Sequence, residues 1–215
     1  IGFWPPMIWI SLRRLRMTGK IIKGIGGFYY VDTKSGVFEC HAKGLFRNKK
    51  EKPLVGDMVE VEEVPDTEKE MVGQILRILP RKNELNRPLV SNIDQAALVF
   101  AVKEPEPSFP LIDRFLLHLE AREIPCMLFF NKRDLLSECE ADYREKMQSI
   151  YEKAGIPVYF FQSNTKEDRE EILRLLKGKN TVFSGPSGVG KSSMINLLLE
   201  DRRMETGSLS EKIKR

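Results

Sequence analysis

The sequence predicts an all-β barrel followed by an α/β domain whose parallel sheet carries helices on both faces. Three observations predict it. Residues 19–79 hold five short strand-like runs broken by turn residues, and beyond residue 88 apolar runs alternate with helically spaced segments. A glycine-rich turn ending in Lys-Ser then separates the last apolar run from the last helical one. At 215 residues and 41% apolar content the chain exceeds one average domain and can bury two cores.

Residues 1–16 stand apart from both domains, because an apolar run containing Trp and Pro precedes Arg13, Arg14 and Arg16. A secretory signal has the opposite charge order. The expectation is a leader or non-native extension, with Met17 as the natural start.

The first domain is placed at 17–83, with strands at 20–25, 27–31, 37–42, 57–64 and 72–79. Gly26-Gly27 and Lys34-Ser35-Gly36 supply turns, and Val59, Val61 and Val64 beside Glu60, Glu62 and Glu63 give a largely alternating, half-buried surface. Five short strands of this kind make a small barrel with one face open. The polar stretch 81–88, R-K-N-E-L-N-R-P, reads as a linker. The second domain is placed at 84–215, with strands at 95–102, 125–131, 157–162 and 180–184 and helices at 111–122, 142–155, 166–177 and 190–202.

Several classes are excluded or disfavoured. The longest apolar stretches, such as 96–102 and 124–130, fall far short of the roughly 20 residues needed to cross a bilayer, so no membrane partner is expected. Three widely spaced cysteines, Cys40, Cys126 and Cys139, with only His41 and His118 beside them, form neither a disulfide framework nor a zinc site. A reduced, cytoplasmic compartment fits. The formal charge of +4 says little about partners, but Arg47, Lys49, Lys50 and Lys52 form the densest basic run outside the leader.

The strongest chemical signal is Gly185-Pro186-Ser187-Gly188-Val189-Gly190-Lys191-Ser192, which matches G-x-x-x-x-G-K-[ST] directly after a strand and before a helix. Glycines let backbone N–H groups turn inward around phosphate oxygens, and the helix adds its positive end. Lys191 is placed to neutralise the β- and γ-phosphates, and the Ser192 hydroxyl to coordinate Mg²⁺. A P-loop names a phosphate binder but no base. Asn131-Lys132-Arg133-Asp134 supplies the N-K-x-D pattern at the end of a strand, and all four residues are placed in the base-binding loop. The Asp134 carboxylate can accept from both the ring N–H and the exocyclic amine of guanine, and adenine offers no such pair of donors. Asn131 would orient this loop, and the stem of Lys132 would cover the base. Ser163, Asn164 and Thr165 follow the next strand, where a backbone N–H could donate to the guanine carbonyl. The base-reading motif precedes the P-loop, the reverse of the usual order. A circular permutation explains this, because it moves the chain ends while leaving strand neighbours unchanged.

The combined pattern resembles the bacterial GTPase family that depends on the small ribosomal subunit, the ribosome small subunit-dependent GTPase A family. The resemblance is carried by Pro53-Leu54-Val55-Gly56-Asp57, Asn83-Glu84-Leu85 with Arg87-Pro88, Asn92-Ile93-Asp94-Gln95, Asp113-Arg114-Phe115-Leu116, Asn131 to Asp134 and Gly185 to Ser193. It implies an N-terminal five-stranded OB-type barrel and a circularly permuted P-loop GTPase domain. It implies GTP and GDP as ligands, with guanine contact at Asn131, Lys132 and Asp134, phosphate contact from Gly185 through Ser193, and Mg²⁺ at Ser192. It also implies GTP hydrolysis stimulated by the small ribosomal subunit, in late maturation of that subunit, with ribosomal RNA as a partner. Members continue to a switch threonine, a D-x-x-G motif and a zinc-binding C-terminal domain. No D-x-x-G occurs among these 215 residues, so the catalytic switch residues are expected beyond Arg215, in a full-length protein that also holds the zinc. The expected state is a monomer.

RNA contact is assigned to Arg47, Lys49, Lys50 and Lys52, between two barrel strands, with Phe28, Tyr29, Tyr30, Phe38 and Phe46 nearby to stack on bases. Two further readings stand beside the GTPase. One is an RNA-binding module whose nucleotide domain binds GTP without turnover, and the other is an ATP-using P-loop protein.

Overall fold

In the N-terminal part the alternation of inward apolar and outward polar residues closes a sheet on itself. The computed structural model describes residues 15–42, 52–64, 71–137, 140–162 and 165–199. Strands β1 (Arg16–Ile25), β2 (Phe28–Thr33), β3 (Gly36–Ala42), β4 (Met58–Glu63) and β5 (Val72–Ile78) form a closed barrel in the order β1-β2-β3-β5-β4. The β3–β5 pairing is parallel and the others are antiparallel. Ile21, Val31, Phe38, Cys40, Val59, Val61 and Ile75 fill the interior. Burial pushes the Cys40 thiol up to about 12, so it packs as a neutral, apolar group. The first strand begins at Arg16, within the expected leader, and the Arg16 guanidinium lies 3.3 Å from Glu62.

The stretch 81–88, expected to be a linker, is corrected by the structure. Strands β6 (Glu84–Asn86) and β7 (Leu89–Ser91) pair there as a hairpin, with Leu85 buried opposite Val90. Its polar composition hid one apolar pair, and one such pair suffices when a buried ion pair fixes the ends. That pair is Asp57 and Arg81. The Arg81 guanidinium donates to both Asp57 oxygens at 2.7 and 2.9 Å, to the Lys52 carbonyl at 2.7 Å and to Glu84 at 2.6 Å. Asp57 also accepts from the Ser91 hydroxyl at 2.5 Å and the Leu54 N–H at 2.7 Å. Gly56 lets the hairpin approach, since a Cβ there would lie 2.1 Å from the Ser91 carbonyl oxygen. The two compact units of the chain divide between Asn92 and Ile93, so residues 84–92 group with the barrel.

The second unit is a parallel sheet in the order β10-β9-β8-β11, built from β8 (Gln95–Ala101), β9 (Cys126–Asn131), β10 (Val158–Phe160) and β11 (Thr181–Ser184). Every residue of β8 is buried, as a central strand covered on both faces requires. One face carries helices α1 (Phe109–Glu120) and α2 (Ala141–Glu152), where Phe115 meets Phe100 edge-on and the Tyr151 hydroxyl donates to Asp113. On the other, α3 (Lys166–Leu176) and α4 (Lys191–Leu198) seat Ile172 and Met194 against Val99, Phe129 and Phe161.

Candidate functional site

Because the four strands of the second unit are parallel, the loops leaving β8, β9, β10 and β11 emerge at one edge of the sheet. The chain steps outward from β8 to β9 to β10 and then returns to β11 on the other side of β8. This reversal of direction opens a crevice beyond the C-terminal ends of neighbouring strands, the usual place for a ligand in an open α/β sheet.

The loop after β11 is shaped by its glycines. Gly185 has φ +145°, and a Cβ there would lie 2.0 Å from the Val99 carbonyl oxygen, so only glycine lets this loop pass β8. Val189 is buried in the core cluster and anchors the loop from beneath, while Ser187 and Gly188 are exposed. Gly190, in the left-handed region at φ +90°, caps α4 and leaves its first N–H groups free of a side-chain cap. The Lys191 ammonium bends back to donate to the Gly185 carbonyl at 2.9 Å and to that of Pro186. Burial lowers its pKa, the strain of a cation partnered only by neutral carbonyls, which an anion would relieve. Ser192 is half-buried and Ser193 exposed in the first turn of α4.

Asn131 ends β9 with its side chain 2% exposed, and its Nδ2 donates to the Val189 carbonyl at 2.9 Å. The base-reading loop and the phosphate loop, far apart in the chain, therefore touch directly. Lys132 takes the left-handed conformation at φ +63°, which turns the chain sharply, and its ammonium donates to the Glu104 carbonyl in the loop after β8. Asp134 lies exposed in a short 3₁₀ turn, Arg133–Leu135. Arg133 faces away from it: its backbone N–H reaches the Phe161 carbonyl at 3.0 Å, and its guanidinium the Phe160 carbonyl at 3.1 Å and Asp168 at 3.4 Å. Downstream of this turn Glu140 pairs with Lys103 at 2.6 Å and accepts from Ser137, which holds its carboxyl at about 2.

The family model for the RsgA GTPase matches residues 78–215, and that for the RsgA N-terminal domain matches residues 18–72. The chain belongs to the RsgA GTPase family. A protein of Agathobacter rectalis named small ribosomal subunit biogenesis GTPase RsgA is 51% identical over 210 residues, covering 93% of this chain and 68% of that protein. Its namesake from Alkaliphilus metalliredigens is 44% identical over 197 residues, covering 92% and 66%. The chain thus spans about two thirds of the length of the curated relatives it matches. Among solved structures, YjeQ from Thermotoga maritima superposes with a TM-score of 0.77 at 34% identity, covering 89% of this chain and 68% of that one. YloQ, described as a circularly permuted GTPase, gives 0.71 at 38% identity, covering 91% and 68%. The reversed motif order is therefore the permutation of this family.

Of the site residues expected from sequence, the RsgA fold brings Asn131 to Asp134 and Gly185 to Ser193 to the same sheet edge. Thr165 joins them as the N-cap of α3, its hydroxyl accepting from the Asp168 N–H at 3.3 Å. Ser163 and Asn164 lie outside the described residues, as do Arg47, Lys49, Lys50 and Phe46. Lys52 is described and exposed. Sequence reasoning missed Asp168, a buried carboxylate that accepts from the Gln162 N–H at 2.6 Å and ties the loop after β10 to Arg133. Thr165-x-x-Asp168 is a helix-capping pattern that could have drawn attention to it. The Glu104 carbonyl was also missed, and backbone acceptors leave no mark in sequence.

Proposed function

We propose that this chain provides the guanine-nucleotide pocket and RNA-binding barrel of a cytoplasmic GTPase that acts in late maturation of the small ribosomal subunit and is stimulated by that subunit. The observation that carries the nucleotide reading is the Asn131 to Val189 hydrogen bond, which joins base-reading and phosphate loops into one rim. The backbone N–H groups of Ser187 to Gly190 and the Lys191 ammonium bind the phosphates, and Asp134 accepts from the guanine edge. The glycine conformations fit a phosphate cradle, and the Ser192 hydroxyl in the first turn of α4 fits a Mg²⁺ ligand. Bound there, Mg²⁺ would neutralise charge on the β- and γ-phosphates. Arg133 and Asp168 hold the base-side loops in place before the nucleotide arrives, which lowers the ordering cost of binding. On the barrel, Arg47, Lys49, Lys50 and Lys52 contact ribosomal RNA phosphates.

The test uses the full-length protein as a monomer, checked by light scattering, with its zinc content measured by metal analysis. Guanine nucleotides should bind more tightly than adenine nucleotides in calorimetry, and purified small subunits should accelerate GTP hydrolysis. Tight GTP binding with a hydrolysis rate indifferent to subunits would select the alternative of a nucleotide-binding RNA module without turnover.

A further inference from the structure

A groove of about 910 Å³ runs between α1 and α2 at the starts of β9 and β10, the sheet edge opposite the nucleotide loops. Its volume lies at the upper end of the roughly 300–1,000 Å³ typical of binding cavities. Leu116, Ile124, Tyr151 and Ile156 form its floor, and Leu117 from α1 and Ile150 from α2 stand on its walls, 64% and 44% exposed. Exposed leucine and isoleucine on facing helices extend the apolar surface outward instead of closing it.

Charge selects what could cover this surface. Asp113, Glu120 and Glu123 line the groove, and among the described residues no Lys or Arg does. Glu120 and Glu123 enter no ion pair among the described residues, although the chain as a whole is positive. Glu120 is close enough to Cys126 that its charge, after burial, raises the thiol's pKa, so the carboxylate acts on the groove interior and not only on solvent. Nucleic acid is repelled by such a lining. A β-strand has nothing to pair with, because the walls are helices whose backbone bonds are internal. The fitting occupant is an amphipathic helix.

We propose that this groove docks a basic amphipathic helix of a protein partner, its apolar residues at i, i+3, i+4 and i+7 seated between Leu117 and Ile150 and its Lys or Arg side chains meeting Glu120 and Glu123. The site is independent of the nucleotide reading, since no nucleotide-loop residue lines it.

The test is fluorescence anisotropy of the whole chain with a labelled 14-residue peptide carrying leucine at those spacings and lysine elsewhere. Saturable binding is expected. The double variant Leu117→Gln/Ile150→Gln should weaken it about tenfold and Glu120→Gln/Glu123→Gln about fivefold. A peptide with every lysine replaced by glutamate should not bind. Guanine-nucleotide affinity, measured in parallel, should stay unchanged in both variants, which separates loss of the groove from loss of the fold. Equal affinity for the lysine and glutamate peptides overturns the proposal, as does binding unmoved by either double variant. Self-association of the unmodified chain that Leu117→Gln abolishes would overturn it too, by making a second copy the occupant.

Discussion

The barrel unit and the α/β unit both bury polar side chains, yet they use them differently. In the barrel unit Asp57 is fully buried, and Arg81, Ser91 and the Leu54 N–H surround both of its oxygens. That arrangement is a finished joint, with no acceptor capacity pointing at solvent. In the α/β unit Asn131 and Asp168 are buried almost as deeply, but each satisfies a loop that ends in an open group. Asp134 is exposed beyond Asn131, and Lys191 holds only backbone carbonyls that a phosphate can displace. Buried polarity fixes structure in both units, and in the second the buried groups of the described residues sit beside side chains left open at the surface.

The largest effect should separate the units outright. Asp57→Ala takes from the Arg81 guanidinium, 17% exposed, two of its four bonds, leaving it Glu84 and the Lys52 carbonyl, and it leaves the Leu54 N–H without its acceptor, so the barrel should lose about 3 kcal/mol in chemical denaturation. Guanine-nucleotide affinity should stay within experimental error, and a parallel fall would show that the joint serves both units. Lys191→Ala should do the opposite. Calorimetry should show nucleotide affinity falling about a hundredfold while the unfolding midpoint moves little, because its bonds in the free protein go to neutral carbonyls of its own half-buried loop. Next in size is Asp134→Ala. The ratio of GDP to ADP affinity should drop by at least about tenfold if, as proposed, the carboxylate accepts from both guanine donors. Guanine preference that survives this change would revive the reading of an ATP-using protein.

Legibility in sequence followed the same division. The α/β unit was readable because its candidate site sits at strand ends with fixed spacing: G-x-x-x-x-G-K-[ST] needs its glycines for backbone reasons, and a Cβ on Gly185 would lie 2.0 Å from the Val99 carbonyl oxygen. Strands β8 and β9 were readable as unbroken apolar runs. The hairpin at 84–91 was not, because Leu85 is a single apolar residue in polar company, Leu89-Val90 is too short a run to read as a strand, and their pairing depends on Arg81, which sequence cannot tell from a solvated cation. Arg133 stands in the base-binding loop by its place in the N-K-R-D motif, and its guanidinium reaches the Phe160 carbonyl and Asp168. A motif fixes positions along the chain and says nothing of which way a long side chain turns.

The smallest predicted effect sharpens the comparison at the barrel's proposed RNA surface. Lys52 is the described end of the basic run, and its carbonyl accepts from Arg81 at 2.7 Å, so the joint at Asp57 fixes the backbone from which that run departs. Its side chain is exposed and free of the joint, so Lys52→Glu should leave barrel stability unchanged. If the run lies along a phosphate backbone, the substitution should weaken small-subunit binding about threefold. It should also flatten the dependence of log affinity on log salt by about 0.7–0.9, the release of one counterion. An unchanged slope with unchanged affinity would remove Lys52 from the RNA surface and move that surface toward the aromatic strands, where Phe28 packs on His41 and Lys23 covers Tyr30. A changed affinity with an unchanged slope would mean that Lys52 neutralises no phosphate, because each phosphate contact releases condensed counterions and adds to the slope.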